Sequence, residues 1–185
     1  MKYQKPMWLS KTALIAAVMV VMPVFADETT GKGMKNAYFG ETHVHTSYSL
    51  DAYIGGNRIT PSDAYRYAKG EPVVVDGTAI SRKRPLDFTA VSDHAEYIGE
   101  MYSTMVEGAP GHDQDLLKQL RGLSTLEEKQ EWFQKYVISV NRGTNPTHPP
   151  FFMGPDTTRS AWQVMIEAAE EHNEPGKFTA LVAFE

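Results

Sequence analysis

The sequence predicts an α/β fold built on a mostly parallel β-sheet. Three apolar segments of strand-like composition lie along the chain, at 37–46, 86–92 and 178–184. Stretches with helical periodicity separate them, and strands that alternate with helices indicate a parallel sheet. Each segment ends in, or is followed by, side chains that can bind a metal. Parallel α/β folds keep their active sites at the carboxyl ends of the strands.

The first segment ends in His43-Val44-His45. Side chains two apart in a strand share a face, so both imidazoles can reach one ion. Asp51 follows in a loop predicted over 47–59. A carboxylate beside two histidines forms a mixed nitrogen and oxygen donor set that suits Zn, Mn or Fe. Two histidines at this spacing also occur by chance, so a structural pair is the alternative.

A short helix and a hairpin are expected next. Thr60-Pro61-Ser62-Asp63 is typical of a helix start, with a capping threonine, a proline in the first position and an acid in the first turn, and Gly70 ends the helix. Two β-prone triplets around Asp76-Gly77 predict a hairpin that projects from the sheet. The basic run Arg82-Lys83-Arg84 is either an anion clamp or a solvated charged segment, and we favour the second.

The second apolar segment, Leu86 to Ser92, is nearly continuous, which fits a buried parallel strand. Asp93 and His94 follow it directly. Glu185 ends the third segment in the same way. Three strand ends therefore deliver metal-binding groups, which favours a metal site over a structural role for the histidines.

The rest of the chain is mainly helical. Helices are expected over 97–107, 113–121, 125–141 and 156–172. Thr125 and Glu128 form a capping box for the third, and Asp156 or Thr157 is expected to cap the fourth.

A loop rich in proline and glycine is expected over 141–155, and long loops in compact domains are often functional. His148 either reaches the site or is structural, and we favour the structural role. Phe151 and Phe152 either wall a pocket or fix the loop.

Two motifs resemble one known family. They are F-G-E-T-H-V-H-T-S-Y-S-L-D-A, which begins at Phe39, and L-D-F-T-A-V-S-D-H-A-E, which begins at Leu86. In this order they resemble the PHP (polymerase and histidinol phosphatase) superfamily of metallohydrolases. The closest resemblance is to a secreted branch catalogued as a domain of unknown function. It covers residues 37–185.

The resemblance implies the N-terminal part of a distorted TIM-like (β/α)7 barrel, with the hairpin as an insertion. It implies divalent ions (Zn, Mn or Fe), two or three in the full-length protein. The implied metal ligands are His43, His45, Asp51, His94 and Glu185. Asp93 is the candidate catalytic residue, and it would orient a ligand or a water molecule.

The family's downstream ligands, further histidines and a late Asp-x-His, have no counterpart before Glu185. Three core strands also cannot close a barrel. The expectation is therefore an incomplete PHP-like domain over 37–185, an N-terminal fragment of a longer gene product or a truncated gene.

Residues 1–26 have the organisation of a secretory signal peptide. Three lysines in the first eleven residues precede the apolar run Ala13–Met22, and Pro23–Ala26 offers small residues before a cut. An apolar run of ten residues is too short to span a bilayer. A secreted or periplasmic protein with no stable membrane anchor after signal cleavage is expected, and 27–36 is expected to be its flexible N-terminus.

Composition narrows the function. The net charge is −5, and removing the three lysines of residues 1–26 makes it −8, which does not favour nucleic acid as a partner. The chain has no cysteine, which excludes thiolate zinc sites and a thiol nucleophile. The resemblance implies a small-molecule substrate as the partner, with phosphoesters as the expected class.

Two main hypotheses follow. The first is a secreted metal-dependent hydrolase, a phosphoesterase that uses metal-activated water. The second is a non-catalytic or degenerate metal-binding domain, inactive because downstream ligands are missing. A third, less favoured hypothesis is a structural domain that binds a partner and holds no metal.

Overall fold

A three-stranded parallel sheet organises the fold. The computed structural model describes residues 36–185, of which Ala37–Glu185 form one unit. In chain order the elements are β1 (Gly40–Val44), α1 (Leu50–Ile54), α2 (Pro61–Ala68), β2 (Val73–Val75), β3 (Thr78–Ile80), β4 (Phe88–Val91), α3 (Ile98–Met105), α4 (Asp115–Gly122), α5 (Leu126–Phe133), α6 (Ser139–Asn141), α7 (Pro155–His172) and β5 (Thr179–Val182). A π-helical segment, Gln134–Ile138, joins α5 to α6.

The strand order is β1-β4-β5, with both neighbouring pairs parallel. This confirms the predicted α/β class and the parallel sheet. Within residues 36–185 the sheet does not close into a barrel, and β1 and β5 form its edges. The exposed side chains of Leu181 and Val182 lie on the edge strand β5.

The predicted signal peptide (1–26), and all but the last residue of the predicted flexible segment (27–36), lie outside the described residues. Among the helices that the structure does describe, none is both long enough and apolar enough to cross a membrane.

The hairpin, the capping threonine of α2 and the capping box of α5 are confirmed. β2 and β3 pair antiparallel, and Asp76 and Gly77 adopt φ values of 48° and 75°, as a two-residue hairpin turn requires. At α2 the Thr60 side chain accepts a hydrogen bond from the backbone of Asp63, whose carboxylate accepts one from the backbone N–H of Thr60. Thr125 and Glu128 form the same reciprocal pair at α5.

The segment predicted as a loop over 47–59 contains the short helix α1, so that part of the prediction is wrong. Leu50, Tyr53 and Ile54 are buried at helical spacing. They pack with α4 and with the aromatic residues of α5 in one core cluster. Tertiary burial therefore stabilises a helix of only five residues that has no side-chain cap.

The start of α7 also differs from the prediction. Gly154 is the N-cap residue, and neither Asp156 nor Thr157 takes that position. The residue before the N-cap is held from another helix, because the buried Glu100 of α3 accepts a hydrogen bond of 2.7 Å from the backbone N–H of Met153. Local sequence does not reveal this long-range contact.

The contact between α3 and α7 depends on Gly99. A Cβ atom at this position would lie 2.5 Å from the backbone of Thr157 and Thr158. We expect Gly99→Ala to force the two helices apart and to lower the free energy of unfolding by about 2 kcal/mol. Urea denaturation measures this change. Gly122→Ala is the matched control, because nothing lies within 4 Å of a Cβ there. Equal stability of the two variants would contradict the close approach.

Candidate metal centre

The five predicted metal ligands meet at the carboxyl edge of the sheet. His43 lies near the end of β1 and His45 just beyond it, Asp51 lies in the first turn of α1, and His94 and Glu185 follow β4 and β5. Two ligand groups result, one of His43, His45 and Glu185 and one of His45, Asp51 and His94. We call them group 1 and group 2. His45 belongs to both.

Group 1 is centred on one carboxylate oxygen. Glu185 Oε2 lies 2.8 Å from His45 Nε2 and 3.1 Å from His43 Nε2. The hydrogen bond from His45 lowers the pKa of Glu185, and the charges of His43 and His94 lower it further. The carboxylate is therefore ionised at neutral pH, which is the form that binds a metal.

Group 2 uses the other ring nitrogen of the shared His45. Asp51 Oδ2 lies 3.4 Å from His45 Nδ1 and 3.4 Å from His94 Nε2. The imidazole rings of His45 and His94 are 4.5 Å apart. Asp51 thus bridges the two histidine motifs from α1.

The pairing of β1 with β4 changes register between Glu41 and Val44, beside His43. Such irregularities redirect side chains at the ends of strands. The rings of His43 and His45 still lie on one side of the chain, with their centroids 4.8 Å apart. The predicted shared face of this pair is confirmed.

The donor atoms fit a divalent ion. In each group they lie within 4.8 Å of one another. Two ligands on opposite sides of one ion, each at about 2.1 Å, are about 4.2 Å apart, so small side-chain movements suffice. Imidazole nitrogens with carboxylate oxygens suit Zn, Mn or Fe. The side chain of His45 is only 14% exposed, whereas those of His43 and Asp51 are 66% and 55% exposed, so one side of the centre is open to solvent.

Asp93 lies behind the centre and is fully buried. Its Oδ1 accepts hydrogen bonds of 2.6 Å from the backbone N–H of Thr46 and from the hydroxyl of Ser49, and its Oδ2 accepts one of 2.6 Å from the hydroxyl of Thr46. The carboxylate thus faces the connection between β1 and α1, which carries His45 and leads into the first turn of α1 with Asp51. This geometry makes Asp93 a positioning residue, and its predicted part in catalysis stays a prediction.

Thr46 and Ser49 are site residues that sequence reasoning missed. Both are fully buried. The Ser49 hydroxyl also accepts a hydrogen bond of 3.0 Å from the backbone N–H of His94, so Asp93 and Ser49 together connect the two motifs. The sequence signal for these two residues was the run of four hydroxyl-bearing residues, 46–49, directly after His45.

Backbone pairing with the segment after β4 positions Glu185. Its backbone N–H donates to the carbonyl of Asp93 at 3.1 Å, and its carbonyl accepts from the N–H of Ala95 at 2.9 Å. These bonds extend the pairing of β4 and β5 beyond the assigned strands. They bring Glu185 level with His94.

Two other predicted features lie outside the ligand groups. The imidazole of His148 stacks on Phe152, with ring centroids 4.1 Å apart. The guanidinium of Arg84 lies 4.2 Å from the centre of the Phe39 ring. Phe39 directly precedes β1, so this contact lies at the amino end of the strand, opposite the candidate ligands. Arg84 therefore lies away from the candidate centre, and the solvated role favoured for the basic run stays a prediction.

Two pockets flank the sheet. One of about 580 Å³ lies at the amino ends of the strands, between Tyr38, Phe88 and Thr179, away from the ligands. The other, of about 470 Å³, begins at Ala95, directly after His94. The second pocket therefore begins beside a residue of the candidate metal centre.

The family of the chain follows from a comparison with protein-family models. The model described as "Protein of unknown function (DUF3604)" matches residues 32–185. The chain belongs to the DUF3604 family. The match spans all five candidate ligands of this DUF3604 domain, from His43 to Glu185. No match was found among the curated proteins or among the solved structures.

Proposed function

We propose that this DUF3604 domain is a metal-dependent hydrolase that acts on phosphoesters. One observation carries the proposal: five nitrogen and oxygen donors from three strand ends and one helix converge into two groups that share His45. Proteins seldom collect such donors at the carboxyl edge of a parallel sheet without using them. The resemblance of both histidine motifs to PHP metallohydrolases supports phosphoesters as the substrate class. On the same resemblance, we also propose that the sheet is part of a TIM-like barrel.

Bound divalent ions would supply Lewis-acid polarisation of the ester and would lower the pKa of a water molecule to near neutral. His43, His45 and Glu185 would hold one ion, and Asp51 and His94 would hold another with His45. Asp93 keeps the connection between β1 and α1 in place behind them. The chain thus supplies the ligands and their orientation, and its open side admits water and substrate.

The proposed reaction consumes one water molecule. Its oxygen forms a bond to phosphorus, and the bond from phosphorus to the leaving oxygen breaks. The leaving group departs as an alcohol or a phenol with one of the water protons. The second product is inorganic phosphate for a monoester.

A non-catalytic metal-binding domain is the second candidate, and the open sheet favours it, because one side of the candidate centre has no covering wall within the described residues. The exposure of the ligands argues against a purely structural ion. Structural zinc sites are closed by four protein ligands, whereas catalytic sites keep a position open. The half-exposed Glu185 and the exposed His43 match the catalytic type.

Turnover by the full chain tests the proposal. We expect hydrolysis of 4-nitrophenyl phosphate or bis(4-nitrophenyl) phosphate after loading with Mn²⁺, Zn²⁺ or Fe²⁺, loss of activity in chelator, and recovery when the metal returns. His43→Ala should abolish this activity. His112→Ala is the matched control, because His112 binds the carbonyl of Ser103 away from the ligands. Tight metal binding without turnover of either ester would favour the second candidate.

A further inference from the structure

The pocket of about 470 Å³ beside the candidate centre has a defined position relative to the ligands. It is lined from one side by Ala95, Glu96 and Tyr97, which directly follow His94. Ala95 also donates a backbone hydrogen bond to Glu185. Ala95 therefore joins the pocket lining to the two candidate ligands His94 and Glu185 through the backbone.

The opposite wall comes from the loop between α6 and α7. Phe152 and His148 line the pocket as a parallel stack, with an angle of 13° between their rings. Phe152 remains 37% exposed, so its ring is accessible. Stacked aromatic rings offer a flat apolar surface to a planar group.

Tyr97 and Asn141 add polar groups to the pocket lining without adding charge. The amide of Asn141 donates a hydrogen bond of 2.6 Å to the phenol oxygen of Tyr97. The phenol oxygen accepts in this bond, so its own hydrogen remains available for donation. Tyr97 also has φ 64° and ψ 13°, a left-handed conformation that is unfavourable for a tyrosine. Strained residues of this kind cluster at binding sites, where the surrounding structure holds them in place.

Among the described residues that line the pocket, one is acidic and none is lysine or arginine. Glu96 is exposed and contributes the carboxylate. Such a lining repels an anion. It accepts a neutral group, and it attracts a cation.

We propose that this pocket binds the leaving group of the substrate and selects a planar ring that carries no negative charge, with a cationic ring favoured. This inference rests on the proposed hydrolase function. Glu96 selects by charge and Phe152 by stacking. The preferred substrates are then aryl phosphoesters with a basic substituent.

Matched substrates test the selection. The full chain, loaded with Mn²⁺, is assayed with O-phosphotyramine, with the phosphate ester of 3-(4-hydroxyphenyl)propionate, and with ring-free glycerol 2-phosphate. The two aryl esters have similar leaving phenols but opposite charges on the ring substituent. We expect kcat/KM to favour phosphotyramine by about tenfold, and Glu96→Lys to reverse that preference. Phe152→Ala should lower kcat/KM about fivefold for both aryl esters and leave glycerol phosphate unchanged.

Two controls match these variants. Glu170→Lys changes the same charge on an exposed residue of α7, about 18 Å along the helix from Thr158, which lines the pocket. Phe39→Ala removes an exposed ring at the opposite edge of the sheet. Neither should alter the ratio between the substrates.

Binding of free tyramine, followed by NMR, separates this inference from the proposed function. Turnover of all three esters with no preference, and no effect of Glu96→Lys, would overturn the pocket inference and leave the hydrolase. Without turnover of any ester, tyramine that binds the wild type and binds Phe152→Ala more weakly would still support the pocket. Absence of both turnover and tyramine binding would overturn both.

Discussion

His45→Ala is expected to weaken metal binding at both ligand groups, by at least about 100-fold. Its two ring nitrogens face different carboxylates, with Nε2 at 2.8 Å from Glu185 and Nδ1 at 3.4 Å from Asp51. Every other predicted ligand belongs to one group only. His43→Ala should therefore affect group 1 alone, and Asp51→Ala should affect group 2 alone.

Metal content by mass spectrometry and competition titration with a chelator measure this difference. The wild type and His112→Ala should hold the same number of ions with the same affinity. His45→Ala should hold fewer ions than either single-group variant. If His45→Ala binds metal as the wild type does, the shared-ligand geometry is wrong and the histidine pair is structural.

Asp93→Ala is expected to lower the free energy of unfolding by about 3–5 kcal/mol. The carboxylate is fully buried and accepts three hydrogen bonds of 2.6 Å. Its removal leaves the N–H and the hydroxyl of Thr46 and the hydroxyl of Ser49 without an acceptor. Buried donors that lose their partner cost the full penalty of their desolvation.

Asp93→Asn is the conservative variant. It keeps the size of the side chain and one acceptor oxygen. Its NH2 group replaces the other oxygen and cannot accept the hydrogen bonds made there. We expect an intermediate loss of stability. We also expect weaker metal binding in the protein that remains folded, because the connection that carries His45 and leads to Asp51 is less well fixed. Thermal and urea unfolding, with metal titration on Asp93→Asn, measure both effects. An Asp93→Ala protein within 1 kcal/mol of the wild type would contradict this role.

The candidate centre could be predicted from sequence largely because strand periodicity is local. Alternation in β1 puts His43 and His45 on one side, and parallel strands bring their carboxyl ends together. These two rules were enough to place His94 and Glu185 beside the histidine pair. The remaining ligand, Asp51, was predicted because it closely follows His45 in the same motif.

What the sequence did not reveal depends on contacts between distant residues. Helix α1 forms because Leu50 and Tyr53 are buried against other elements. Met153, the residue before the N-cap of α7, is held by Glu100 of α3 rather than by a neighbouring side chain. The side chain of Asp93 faces Thr46 and Ser49, and adjacency to His94 in sequence gave no sign of that direction. Long-range hydrogen bonds have no local pattern from which to predict them.

Anomalous diffraction from crystals of the full chain grown with Zn²⁺ or Mn²⁺ tests the central claim most directly. The account predicts an anomalous peak at about 2.0–2.3 Å from His43 Nε2, His45 Nε2 and a carboxylate oxygen of Glu185. A second peak is expected beside Asp51 and His94. Peaks only elsewhere on the protein, with the hydrogen bonds between Glu185 and the two histidines intact, would contradict the metal centre and the function built on it.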